Sequence, residues 1–248
     1  MGYDRIHIYD FICWRKRKKT IMKKLFTVLR QGNLDEVKRI IESKPETVNC
    51  VAGATPKKDH GQSPLQVALK TGQIDIANYL VDHGADLNFM EAEDDDPGMR
   101  APVIFDAITA TITSLCYKNF NTSDKALALL KKMIESGADI NVFTSNGLGT
   151  MNWAIMKAEQ IIQHPDLYSN SQKEVRKKLT SVLDLLINNG VDYIAWANRG
   201  YYPEPAPGPT SRSLFIDPIR IDNEYEIDRI QMLRDYLQEY FNSRNISF

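Results

Sequence analysis

The stretch from Gly61 to Asn88, GQSPLQVALKTGQIDIANYLVDHGADLN, limits what this chain can become more than any other part of it. Ser63 ahead of Pro64 predicts a helix start, because a hydroxyl at the cap accepts an orphan N–H and proline has no N–H to satisfy. Leu65, Ala68 and Leu69 then share one face. Gly72 permits a tight reversal, and Ile74, Ala77, Tyr79 and Leu80 supply the facing stripe of a second helix that Gly84 ends in a left-handed conformation. Neither helix of such a pair can hide its apolar side alone. The pair therefore predicts neighbours of its own kind, stacked beside it.

Those neighbours are present in the sequence. Leu25, Val28 and Leu29 form a stripe that Gly32 breaks, and Asn33 with Glu36 makes a capping-box-like start for 34–43. The linker from Asn49 to His60 is polar and turn-forming, as a projecting finger would be. Further on, the ending HGADLN returns as SGADIN and again as NNGVDY. Gly137 follows Gly84 by 53 residues, and Gly190 follows Gly137 by 53.

With SPLQVA similar to TPLHxA and LVDHGADLN similar to LLxxGADxN, the stretch resembles an ankyrin repeat. The resemblance implies an all-α solenoid of stacked helix-turn-helix repeats with long finger loops. Ankyrin repeats are close to 33 residues, so the third and fourth repeats each carry an insertion of about 20, placed between their paired helices. In the third repeat PVIFDA at 102–107 is a degraded TPLHxA; a first helix runs through Tyr117, Asn119 to Ser123 break it, and Asp124 opens the second. In the fourth, GTMNWA opens the first helix, His164 to Gln172 form the break, and Val175 to Asn189 make the second. Trp153 is expected in the core.

The resulting division is an N-terminal extension at 1–20, a repeat domain at 21–221 and a C-terminal capping helix at 222–248. Within the domain the repeats fall at about 21–60, 61–100, 101–146 and 147–200, with a degenerate one at 201–221. The capping helix rests on Ile227, Ile230, Leu233, Leu237, Tyr240 and Phe241 along one side of Asn223 to Asn242, with charges mostly opposite.

The chemistry of catalysis is missing. No phosphate loop, GxGxxG, HExxH, paired CxxC or nucleophile elbow occurs, and His7, His60, His83 and His164 lie far apart. No enzyme, cofactor or metal is expected. The net charge of −1 predicts no global attraction for nucleic acid. The basic run Arg15, Lys16, Arg17, Lys18 and Lys19 is the local exception, and runs of this kind are ordinarily solvated surface. Cys13, Cys50 and Cys116 are too scattered for a disulfide framework or a zinc cluster, which points to a reducing compartment. With no membrane span, and with Asp4, Arg5 and Asp10 interrupting any export signal, a cytoplasmic monomer is expected.

What remains is binding. Stacked repeats expose a concave surface of fingers and inner helices. Phe89, Met90, Phe143 and Trp196 follow the repeat-ending glycines by five or six residues, so stacking would align them in a row. Tyr201 and Tyr202 lie in a proline-rich loop beyond, and Asp94, Asp95 and Asp96 form an acidic loop lacking the alternation of a calcium site. The expected function is to bind another protein through these residues without catalysis. An inhibitor, immunity or effector protein that occludes its target is the alternative, with the acidic loop facing a basic target; an enzyme with its site in the inserted segments is the second.

Overall fold

Ser63 and Gln66 cap each other: the Gln66 amide donates to Ser63 Oγ at 3.2 Å and the Ser63 amide to Gln66 Oε1 at 3.2 Å. This is the reciprocal cap that lets a helix start on proline. It is seen in a computed structural model that describes residues 20–53, 57–92, 99–117, 120–163, 172–192 and 235–245. No strand occurs among the described residues, and the fold is all-α and of ankyrin-repeat type. The chain divides into two compact units, Met1–Gly98 and Met99–Phe248.

In the first unit, α1 (20–31) and α2 (Leu34–Ser43) form one helix pair, and α3 (Pro64–Lys70) and α4 (Ile74–Asp82) form the next. Gly32 and Gly72 make the reversals at φ +70 and +72, the left-handed region that glycine enters without strain. Leu25, Phe26 and Leu29 of α1 are buried, as are Val37, Ile40 and Ile41 of α2, and α2 packs against α4.

Asn33 caps α2 as the spacing predicts, accepting from the Glu36 amide at 3.1 Å. The Glu36 carboxylate does not complete the box. It meets Lys24 of α1 at 2.5 Å and the Arg39 guanidinium at 2.6 and 2.8 Å, because two cations attract it more strongly than one amide. Those hydrogen bonds, Arg39 first and Lys24 second, hold its pKa down to about 2 from 4.5. A depressed carboxylate contributes stability above its unfolded value and loses it as pH falls through the folded one. The Glu36 carboxyl carbon, followed by NMR, is therefore expected to titrate near pH 2, and Arg39→Met is expected to move the midpoint back toward 4.5.

The GADxN ending has a mechanical meaning. Asp86 Oδ1 accepts from the Asn88 amide at 2.9 Å, and Asp139 Oδ1 from the Asn141 amide at 2.8 Å, so each aspartate curls the chain beyond its glycine. An asparagine of the preceding repeat then clamps the following ending. Asn49 donates to the Gly84 carbonyl at 2.9 Å and accepts from the Asp86 amide at 2.7 Å; Asn141 does the same to Gly190 and Asp192, at 3.3 and 2.6 Å. Asn141→Ala removes both bonds and is expected to cost about 1–2 kcal/mol. A urea midpoint and Asp192 amide exchange rate that do not change would contradict the clamp.

The second unit contains α5 (Val103–Thr113), a 3-10 turn Ser114–Tyr117, α6 (Phe120–Glu135), α7 (Thr150–Gln163), α8 (Gln172–Asn188) and α9 (235–242). Most of the extra length sits inside helices: α5 and α6 have 11 and 16 residues and α7 and α8 have 14 and 17, against 7 and 9 in α3 and α4. The sequence reading, which set the inserted length between the paired helices, differs here and at two boundaries: α8 begins at Gln172, inside the expected break, and α6 also begins early. Helix α6 begins at Phe120, so Phe120 to Ser123 are helical instead of a break. Ser123 is fully buried and donates its hydroxyl to the Thr111 carbonyl at 2.6 Å, which fastens the first turn of α6 to α5 and offsets the poor helix propensity of NTS.

Helix α5 packs against α6, α7 and α8, which places it at the centre of this unit. Helix α9 covers α8 through buried Leu237, Tyr240 and Phe241. Tyr240 donates to Asp184 at 2.6 Å, Tyr236 donates to the Arg176 carbonyl at 3.2 Å, and Arg244 pairs with Asp184 while lying over the Tyr240 ring. Burial, and then the Asp184 bond, push the Tyr240 phenol far above its usual range. Residues 223–234 of the expected capping helix, and the degenerate repeat at 201–221, lie outside the described residues.

Candidate protein-binding surface

A finger can present a side chain to a partner only if its own backbone is fixed, and the described parts of the fingers are fixed by specific bonds. After α4 the chain returns across Gly61: the Ala92 amide donates to the Gly61 carbonyl at 2.9 Å, and Glu91 pairs with Lys70 of α3. Gly61 stands at φ +76, and a Cβ there would lie 3.0 Å from the Ala92 carbonyl oxygen. Only glycine admits that approach. Gly61 in turn donates to the Ala52 carbonyl at 3.1 Å, and Ala52 donates to Gln62 at 2.9 Å, so the preceding finger joins the same ladder. Phe89 and Met90 sit on this pinned segment, each half-buried.

In the second unit the finger between α6 and α7 is a short hairpin. Thr144 donates its amide to the Leu148 carbonyl at 2.9 Å and receives the Leu148 amide on its hydroxyl at 2.9 Å, and Phe143 bridges Gly149. Thr150 Oγ1 donates to the Ile140 carbonyl at 2.7 Å and closes the hairpin's base. Ser145 and Arg100 exchange two bonds, at 3.0 and 2.9 Å, tying the tip to the segment before α5. Phe143 is half-buried, with its ring so close over Gly149 that a Cβ there would meet it at 3.2 Å. Part of its apolar surface is thus already used by its own finger.

Phe89 and Met90 belong to the first unit and Phe143 to the second. Trp196, Tyr201, Tyr202, the acidic Asp94, Asp95 and Asp96, and the basic Arg15, Lys16, Arg17, Lys18 and Lys19 lie outside the described residues. No group of three metal-ligating side chains occurs among the described residues. His83 serves the structure of its own helix end, where its Nδ1 bonds the Tyr79 carbonyl at 2.8 Å and its ring stacks on Tyr79 at 3.8 Å.

The structure adds a group that no sequence motif marks. Trp153 of α7 is 6% exposed, its ring 5.2 Å from that of Phe105, and its Nε1 donates to the Phe105 carbonyl at 3.0 Å and to Thr109 Oγ1 at 2.8 Å. Lys157, one turn later, sets its ammonium 4.6 Å from the Trp153 ring centroid. Burial lowers the Lys157 pKa, and Asp106 of α5 opposes that shift from a distance. The only trace in the sequence is positional: Asp106 and Trp153 each stand immediately before the alanine of their degraded openings, PVIFDA and GTMNWA.

Short helix pairs closed by left-handed glycines, clamped by asparagines and joined by hairpin fingers define a helical-repeat protein. Residues 15–91 match the family described as ankyrin repeats (3 copies). Over 123 residues, half of the chain, the sequence is 28% identical to ankyrin repeat and SAM domain-containing protein 6 of Rattus norvegicus. The aligned region spans only 11% of that relative's length. Over this region the chain is similar to ankyrin repeat proteins, in keeping with its ankyrin-type fold. Repeats of this kind are generally non-enzymatic modules for protein–protein contact.

Proposed function

We propose that this chain is a non-catalytic interaction module that binds another protein through its fingers and the exposed sides of its first helices. The observation that carries the reading is the pinned finger backbone, held by the Ala92–Gly61 and Thr144–Leu148 bonds while Phe89, Met90 and Phe143 remain only half covered. A fixed apolar side chain loses little entropy on docking, and aromatic residues and methionine are enriched at interfaces. The cytoplasm is the compartment that three scattered cysteines favour, and a monomer is the proposed state.

Affinity purification with the full chain tests the reading against the Phe89→Ala/Met90→Ala/Phe143→Ala variant, with circular dichroism confirming that both are folded. The proteins recovered with the wild type are expected to fall about tenfold or more with the variant, since hot-spot truncations typically cost about 2 kcal/mol or more. Equal recovery of every protein by both would remove the fingers from the binding surface.

A further inference from the structure

We propose that Lys157, seated on the face of Trp153, is an anchor for an acidic side chain of the protein partner. The inference rests on the interaction-module reading and deepens it. Lys157 and Trp153 are four residues apart on α7 and so lie on one face. The indole is held by its bonds to Phe105 and Thr109, which fixes the surface under the lysine stem. The ammonium is thereby positioned before any partner arrives.

Its charge is poorly answered within the described residues. The hydrogen-bond partner of Lys157 is the neutral Gln160 amide, at 3.3 Å, and no carboxylate among those residues lies within ion-pair distance. Other partly buried cations of this protein are treated differently: Lys178 meets Asp124, and Arg30 meets Asp59. Burial of Lys157 disfavours its charged form, and the face of Trp153 returns part of the loss through its quadrupole. An incoming carboxylate would complete the set with a charge-assisted hydrogen bond in a place already shielded from water.

The chemistry also limits the ligand. One ammonium acting as a point charge, with the Asp106 carboxylate felt behind it, matches a singly charged Asp or Glu better than a phosphate dianion, which calls for several donors or a forked guanidinium. Lysine is seldom a dominant interface residue when exposed. On an indole platform and half-desolvated, it sits in the kind of site where truncation is costly.

A phage-displayed library of random peptides, panned on the full chain and on Lys157→Met and Lys157→Glu variants, tests this. Urea unfolding first establishes that the variants are folded. Wild-type binders are expected to share an Asp or Glu at one aligned position and to bind Lys157→Met about tenfold or more weakly, the effect of losing a charge-assisted bond. The Lys157→Glu pool is expected to replace that acid with Lys or Arg. Wild-type binders lacking a shared acidic position, or binding Lys157→Met equally, would overturn the anchor while leaving the interaction module standing. A library that yields no binder to any of the three proteins would remove the module reading, and the anchor with it.

Discussion

Arg30→Met is expected to destabilise the protein by about 3–5 kcal/mol, the range found when one partner of a buried ion pair is removed. The Asp59 side chain is 1% exposed and that of Arg30 25%, so the carboxylate depends on the guanidinium. Arg30 Nε donates to Asp59 Oδ1 at 2.7 Å and Nη2 reaches the same oxygen, while Oδ2 has no hydrogen-bond partner among the described residues. Methionine preserves the apolar stem and deletes the charge, which leaves the buried carboxylate without the cation that meets it among the described residues. Arg30→Met/Asp59→Leu is expected to recover most of the loss, because removing both charges also removes the desolvation cost. Equilibrium urea unfolding of the four proteins in this cycle measures the coupling. A single variant within about 1 kcal/mol of the wild type would show that Asp59 reaches water in solution. The pair has a functional side too, since it fastens the Lys57–Asp59 turn of the first finger to α1. Faster proteolysis within residues 50–62 should accompany the lost stability.

That pair shows where sequence reading stops. What depends on neighbouring residues was legible: the Ser63–Pro64 start, and the glycines at 84, 137 and 190, all at positive φ. A helix end is a local event, decided by one residue's freedom and the next few amides. Arg30 and Asp59 are 29 residues apart, and Asn49 clamps an ending 35 and 37 residues away, so neither bond leaves a local trace. The start of α6 differs from expectation for a related reason. NTS reads as a breaker by propensity, and the Thr111 carbonyl that accepts from Ser123, twelve residues away, works against that preference. Charges on helices are harder still. Lys157 is indistinguishable in sequence from a solvated surface lysine, because its meaning comes from the ring beneath it and from the lack, among the described residues, of a carboxylate beside it.

Trp153 is where stability and the proposed binding surface meet, and Trp153→Ala is expected to cost about 3–5 kcal/mol, as large aromatic truncations in cores do. Three losses add up there. The cavity opens beside fully buried Phe105, the ring pair at 5.2 Å disappears, and the indole N–H no longer bridges Phe105 and Thr109. Because Thr109 Oγ1 also donates to the Phe105 carbonyl at 2.8 Å, the N–H closes a small ring of bonds between α5 and α7. Trp153→Phe keeps an aromatic platform and deletes that N–H. Its expected cost is about 1–3 kcal/mol, that of one buried hydrogen bond with a polar partner left behind. The two variants therefore separate packing from hydrogen bonding by the difference between their urea midpoints. Equal and small effects would mean that the indole lies at the surface and contributes to binding alone. A large effect for alanine with a modest one for phenylalanine would place the ring in the core, from which it can hold Lys157 at the edge of water without being part of the contact itself.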